Sequence, residues 1–301
     1  MTKGQAAEGK ANGWRIRLIN PVLDKEFRLR MRSPRAMWTL FFYLFALGLM
    51  SLSAIYLTQE LAGRGGSFRP EESRYLFYFL SLAQLGLIAF MAPGLTAGVI
   101  SGEREKQTLN LLLTTQQSSA TIVLSKLVSS LSFMVLIVVS TLPIYSMMFL
   151  YGGVSPNQLA LVFLYDLFMM FVLGSFGVLF STLLRRTMVS VIVTYGVTLF
   201  MFAGTAILFM VLIGIVEQAY QGQSISYTWV GHVLAWNPAV GMYSIMDPSV
   251  NDVVFSVNRW TGGPANGPLI PLWAESMIIY GCLSLLALWI AVRNLRPRHR
   301  A

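Results

Sequence analysis

Residues 75–100 read YLFYFLSLAQLGLIAFMAPGLTAGVI and residues 101–115 continue SGEREKQTLNLLLTT. The first stretch is an uncharged apolar run long enough to cross a bilayer as a helix, which takes about 20 residues. The second is a short polar insert, and the chain turns apolar again at Val123. Read as a helix, the insert puts Leu109, Leu112 and Leu113 on one stripe at i, i+3 and i+4, with Glu103, Lys106, Gln107 and Asn110 on the opposite side. Glu103 and Glu105 in its first turn oppose the positive end of the helix dipole. A leucine stripe with a charged back suits docking, and such a rod can pass force to a partner. The rival is an amphipathic helix resting on the membrane with the same leucines. Its short length and mixed charge argue against that, since surface helices favour Lys and Arg on the polar face.

Working outward, the composition is that of an integral membrane protein. Of 301 residues, 55% are hydrophobic and 12% charged, with mean hydropathy +0.62; a soluble domain would carry about twice that charged fraction. Five further apolar runs join the one above, giving an all-α protein with spans expected at 37–57, 75–100, 123–151, 159–183, 188–216 and 270–292. Their ends are expected to shift where helices tilt. Six spans place both termini on one side.

Charge asymmetry says which side. Eighteen of the twenty-two Lys and Arg residues fall in the N-terminal segment, the loop holding the insert, the loop at Arg185-Arg186 and the tail. The other three loops hold only Arg64, Arg69, Arg74 and Arg259. Basic residues collect on cytoplasmic flanks, so both termini and the insert are expected in the cytosol. The net charge of +9 follows from this asymmetry and from attraction to anionic membrane lipids, with no nucleic acid required. The first apolar run starts at residue 37 behind a basic stretch with no small-residue cleavage site, so no removable signal peptide is expected. The single cysteine, Cys282, excludes an intramolecular disulfide and a multi-cysteine metal site.

Along the chain, residues 1–13 are expected to be disordered. Residues 14–35 mix Trp14, Leu18, Ile19, Val22, Leu23 and Phe27 with dense Arg and Lys, as an amphipathic segment on the inner surface would. Ser33-Pro34 ends it, and residues 37–292 form the transmembrane domain. The first outer loop, Thr58 to Arg74, carries Gly63, Gly65, Gly66 and Pro70 and is expected to hold little structure. Short connections at Gly152–Gln158 and Leu184–Thr187 make spans three to five close antiparallel neighbours. The outer loop at 217–269 is long for a bare connection. Within it, Tyr227 to Ile245 is apolar but broken by Gly231, Asn237-Pro238 and Gly241, which fits re-entrant or surface-lying helices better than a seventh span. Trp229, Trp236, Trp260 and Trp273 read as anchors at the outer interface. Residues 293–301 form a basic cytoplasmic tail.

Taken together, Asn20-Pro21-Val22-Leu23-Asp24-Lys25-Glu26, six spans, Gly102-Glu103-Arg104-Glu105-Lys106-Gln107-Thr108-Leu109 after the second span, and Asn237-Pro238 before the sixth resemble the membrane subunit of ABC exporters of the ABC-2 class. The likeness runs from about Asn20 to Leu295 and is sharpest in the insert through Leu113, followed by Thr114-Thr115 and Ile122-Val123-Leu124-Ser125-Lys126. Relatives often have a Pro shortly after the Thr; here Gln116-Gln117 stands instead. The resemblance implies a permease in a bacterial-type inner membrane whose insert is a coupling helix, seated in a groove of a cytosolic ABC ATPase. Two ATPase subunits would pair with two membrane subunits, the second being a copy of this chain or a related permease. Glu103, Arg104 and Glu105 would meet the ATPase rim and Leu109, Leu112 and Leu113 would anchor the contact. ATP and Mg would be bound by the partner. Independently, the chain has no G-x-x-x-x-G-K-[ST] loop to surround phosphates.

Other residues invite chemistry. Asp166 is the only acid well inside a span, roughly 10 Å below the outer end of the fourth. It reads either as a polar contact to cargo or to the second subunit, or as a carboxyl protonated or paired locally. Met170, Gly174, Gly177 and Ser181 share its stripe, the last three small enough for close helix contact. Pro93-Gly94 marks a possible kink relaying motion from the insert. His232, alone in its loop, reads as an interfacial side chain rather than a metal ligand, and Glu275 as wetted at the outer surface. A secondary transporter would need several buried charges and an internal repeat, and a membrane enzyme a convergent acid, base or metal set; neither is visible. A member of the same family doing mechanical or envelope work on an accessory protein stays open.

Overall fold

A computed structural model describes residues 34–62, 70–108, 118–150, 152–219, 229–255 and 270–295. The expected N-terminal segments, the stripe of Leu109, Leu112 and Leu113, Trp260 and the end of the tail lie outside the described residues. Those described are helical, with no strand among them. Six helices are long and apolar enough to cross a membrane.

The first span is α1, Pro34–Ala62, opened by the proline. The second is α2, Pro70–Thr96, with Glu71 and Glu72 in its first turn where the helix dipole favours acids. These two helices run past the apolar sequence, so the connection between the first and second spans is shorter than expected. After α2 comes an irregular turn at 97–100 and the short α3, Ser101–Glu105. The helix continues through Pro93 and breaks only after Thr96.

The third span has two pieces, α4 (Ser119–Val139) and α5 (Leu142–Leu150), separated at Ser140-Thr141. Ser118 caps α4, its hydroxyl accepting the Thr121 N–H at 3.2 Å. The fourth span, α6 (Pro156–Leu183), starts with Ser155 as cap and Pro156 in its first turn. The fifth consists of α7 (Thr187–Leu199), a π-helical turn at Phe200–Gly204, and α8 (Thr205–Ala219). The segment between the fifth and sixth spans contributes α9 (Gly231–Leu234), α10 (Pro238–Met246) and α11 (Ser249–Phe255), and α12 (Leu272–Leu295) is the sixth span.

The fourth span is the hub, packing against α2, α4, α7, α10 and α12. Around it lies a core that includes Phe77, Leu80, Tyr145, Tyr165, Met169 and Tyr280. The loop helix α10 is drawn into this core instead of lying on the bundle's surface. Its Pro238, Gly241, Met242 and Met246 are buried, and a β-carbon at Gly241 would stand 2.4 Å from the Tyr165 hydroxyl, closer than atoms approach. The Tyr165 hydroxyl lies 3.1 Å from both Pro238 O and Ser276 Oγ, joining the loop to the fourth and sixth spans. Trp229 and Trp236 are exposed, as anchors would be. Glu275 is not simply wetted: its carboxylate lies 2.9 Å from His232 Nδ1.

Candidate coupling junction

The insert leaves the bundle at the end where the second, fourth and sixth spans finish and the third and fifth begin. Its described part does not form the expected single helix: α3 stops at Glu105, and Gln107 takes the left-handed conformation with φ +58°. The Thr108 N–H bonds back to Glu103 O at 3.0 Å, closing the turn. The geometry directs the chain away from the axis of α3 before the leucines begin.

Three backbone groups freed where α2 gives way to α3 find side chains of other helices. The Ser181 hydroxyl accepts the N–H groups of Ile100 at 2.8 Å and Ser101 at 2.9 Å. The Ser190 hydroxyl donates to Ala97 O at 2.7 Å. Buried backbone groups without partners would cost about 1–3 kcal/mol each, so these two serines make the irregular turn possible. Small residues let the helices meet here. A β-carbon at Gly177 would fall 1.9 Å from Thr96 Oγ1, and one at Gly174 would press on Leu127 and Leu131. The small-residue stripe of the fourth span is thus spent on contacts with the second and third spans of the same chain.

The three charged residues of α3 are used in the same way. The Arg104 guanidinium donates to Thr182 O at 3.1 Å and Leu184 O at 3.3 Å, the carbonyls at the end of α6. Glu105 Oε1 accepts the N–H of Thr187, first residue of α7, at 2.7 Å. A cation thus sits at the negative end of one helix and an anion at the positive end of the next, from adjacent residues. Glu103 pairs with Lys126 of α4 at 3.2 Å and accepts from the Thr108 hydroxyl. The base of the insert is tied to the third, fourth and fifth spans, with these charges turned to the chain's own helices. No sequence pattern announces this, because Arg104 and Glu105 bond backbone atoms about eighty residues away.

Asp166 lies elsewhere, in the interior, and is fully buried. Its Oδ2 accepts from Gln84 Nε2 at 2.8 Å. The partner the structure shows for this carboxyl is Gln84, on the second span of the same chain.

A family model for ABC-2 family transporter proteins matches residues 20–258, well over half of the chain and including every residue of the junction. No curated protein matches it. Six membrane-length helices around a polar insert and the match over that region agree: the chain belongs to the ABC-2 family of transporter proteins, as a membrane permease subunit of an ABC transporter.

Proposed function

We propose that this permease works as an exporter, driven by two cytosolic ABC ATPase subunits that bind ATP and Mg, with a second copy of the chain or a related permease completing the membrane part. The insert is the input. Leu109, Leu112 and Leu113 seat in the ATPase, and the junction at Glu103, Arg104 and Glu105 carries the movement into the bundle.

The observation that carries this reading is the capping of α6 and α7 by adjacent residues of the insert. An amphipathic helix merely floating on lipid has no need of a charged clamp on two spans at once. With Glu103 on Lys126 as well, a displacement of the insert pulls on the third, fourth and fifth spans together. The fifth is the least enclosed, with 11% of its apolar window buried against 50% for the fourth, so it is the freest to swing. The crevice lined by Tyr43, Ile88, Met134 and Met170 has a volume of about 10 Å³, room for about one water-sized body. The path for cargo would then run between the two membrane subunits.

The test is to purify the chain with its ATPase and compare it with a Leu109→Asp, Leu112→Asp variant. The expected result is that the variant folds and inserts but loses co-purification or ATPase stimulation by at least tenfold, as removal of two buried anchors implies. Unchanged assembly and activity would overturn the reading.

A further inference from the structure

The turn joining the fourth and fifth spans carries two adjacent arginines, Arg185 and Arg186, both exposed. They have no work inside the fold. The backbone groups of this turn are already satisfied from the insert, Thr182 O and Leu184 O by Arg104 and the Thr187 N–H by Glu105. Glu105, an acid that feels the charge of Arg186, is thereby committed elsewhere. Among the described residues neither guanidinium has a hydrogen-bond or ion-pair partner. Other cations at this end of the bundle are engaged: Lys126 pairs with Glu103 at 3.2 Å, and Arg293 lies over the Trp289 ring at 5.4 Å.

The surroundings say what would answer these charges. Leu183, which closes α6, and Met188, Val189 and Ile192, in the first two turns of α7, are all exposed. On a membrane span such side chains meet acyl tails. At 1.5 Å per residue Ile192 stands about 9 Å along the axis from Arg186, so the pair lies at the edge of the apolar band, where headgroups begin. An arginine there keeps its stem on apolar surface and its charge in the polar layer. Adjacent α-carbons are about 3.8 Å apart, which lets both guanidiniums reach one headgroup, and each offers a planar fork that matches phosphate oxygens. A phospholipid satisfies the charge and the apolar border together. A protein surface that paired the arginines would leave the border uncovered.

We propose that Arg185 and Arg186 seat the phosphate of an anionic phospholipid, whose tails lie on Leu183, Met188 and Ile192. A zwitterionic lipid brings its own cation and gains less from the pair. The seat belongs to the surface of this chain and stands or falls separately from the coupling reading.

The full-length chain is purified in detergent, stripped of lipid and titrated with phosphatidylglycerol or phosphatidylcholine, and bound lipid is counted by native mass spectrometry. Phosphatidylglycerol should bind several-fold more tightly. Replacing both residues, Arg185→Gln with Arg186→Gln, should weaken its binding at least tenfold, from about fivefold per cation beside an anionic headgroup. Each single variant should lose about fivefold, and these carry the test if the double variant does not fold. Taking two charges from the tail instead, Arg298→Gln with Arg300→Gln, should change binding by less than about twofold, which separates a seat from general attraction. The proposal is overturned if the two lipids bind alike, if the double variant holds phosphatidylglycerol as the unchanged chain does, or if the tail variant loses as much. A double variant that keeps the lipid but no longer co-purifies with the ATPase would assign the arginines to protein contact and overturn it as well.

Discussion

Gln107 holds φ +58° at the point where the insert leaves α3, a conformation costing a side-chain-bearing residue roughly 1–2 kcal/mol and glycine almost nothing. Two substitutions there have opposite expected signs. Gln107→Gly should leave Tm unchanged or raise it, whereas Gln107→Val, β-branched at positive φ, should lower it by more than 1 °C, from roughly 1 kcal/mol of strain. In an uninterrupted helix the order would reverse, since valine is tolerated there better than glycine. Thermal unfolding of the two variants in detergent therefore decides whether the insert bends where the structure bends it. The bend was not legible in the sequence because Glu103 to Gln107 contains no glycine or proline, and the i, i+3, i+4 spacing of the leucines favours a straight reading. Asp166 was legible as an anomaly, but not its partner: only the rotation of two long helices about their axes brings Gln84, eighty-two positions away, against it.

Asn237 joins three elements. Its Oδ1 accepts the N–H groups of Ala239 at 3.0 Å and Val240 at 3.4 Å, capping α10, while Nδ2 donates to Phe202 O at 2.7 Å inside the π-helical turn of the fifth span. A π turn shifts carbonyls out of the regular ladder, and the buried amide gives one of them a donor. Asn237→Ala should cost about 2 kcal/mol, roughly 1 for the cap and 1 for the buried bond. Asn237→Ser, which keeps a capping oxygen but cannot reach Phe202, should cost about half of that. Equal loss of thermal stability in both would mean that the tie to the fifth span contributes nothing. Half of this element could be read from sequence: Asn followed by Pro is a helix start, with a capping side chain and a residue preset for the first turn. The π turn could not, since Phe200 to Gly204 continues an apolar run that reads as ordinary helix.

At the scale of the whole molecule, hydropathy and charge make separate statements. Apolar length places six helices in a membrane, and packing agrees: windows of the second, third and fourth spans are half buried or more, while only 17% of the first is. An outer helix rich in Trp38, Phe41, Phe42 and Phe45, all exposed, belongs against lipid or another subunit. Orientation rests on charge alone. Eighteen of twenty-two Lys and Arg residues lie on the flanks that share the insert's side of the six-span topology, and such residues resist translocation. Membrane-impermeant maleimide tests this on sealed cells once Cys282 is replaced by Ser. A cysteine at Gly153, in the turn between the third and fourth spans, should be labelled from outside; one at Lys106, exposed on the insert, should react only after the membrane is opened. The opposite pattern would put the insert beyond the reach of any cytosolic ATPase, and the proposed drive would fail with it. Inverting the molecule in the bilayer changes which compartment powers it without altering a single contact among its helices.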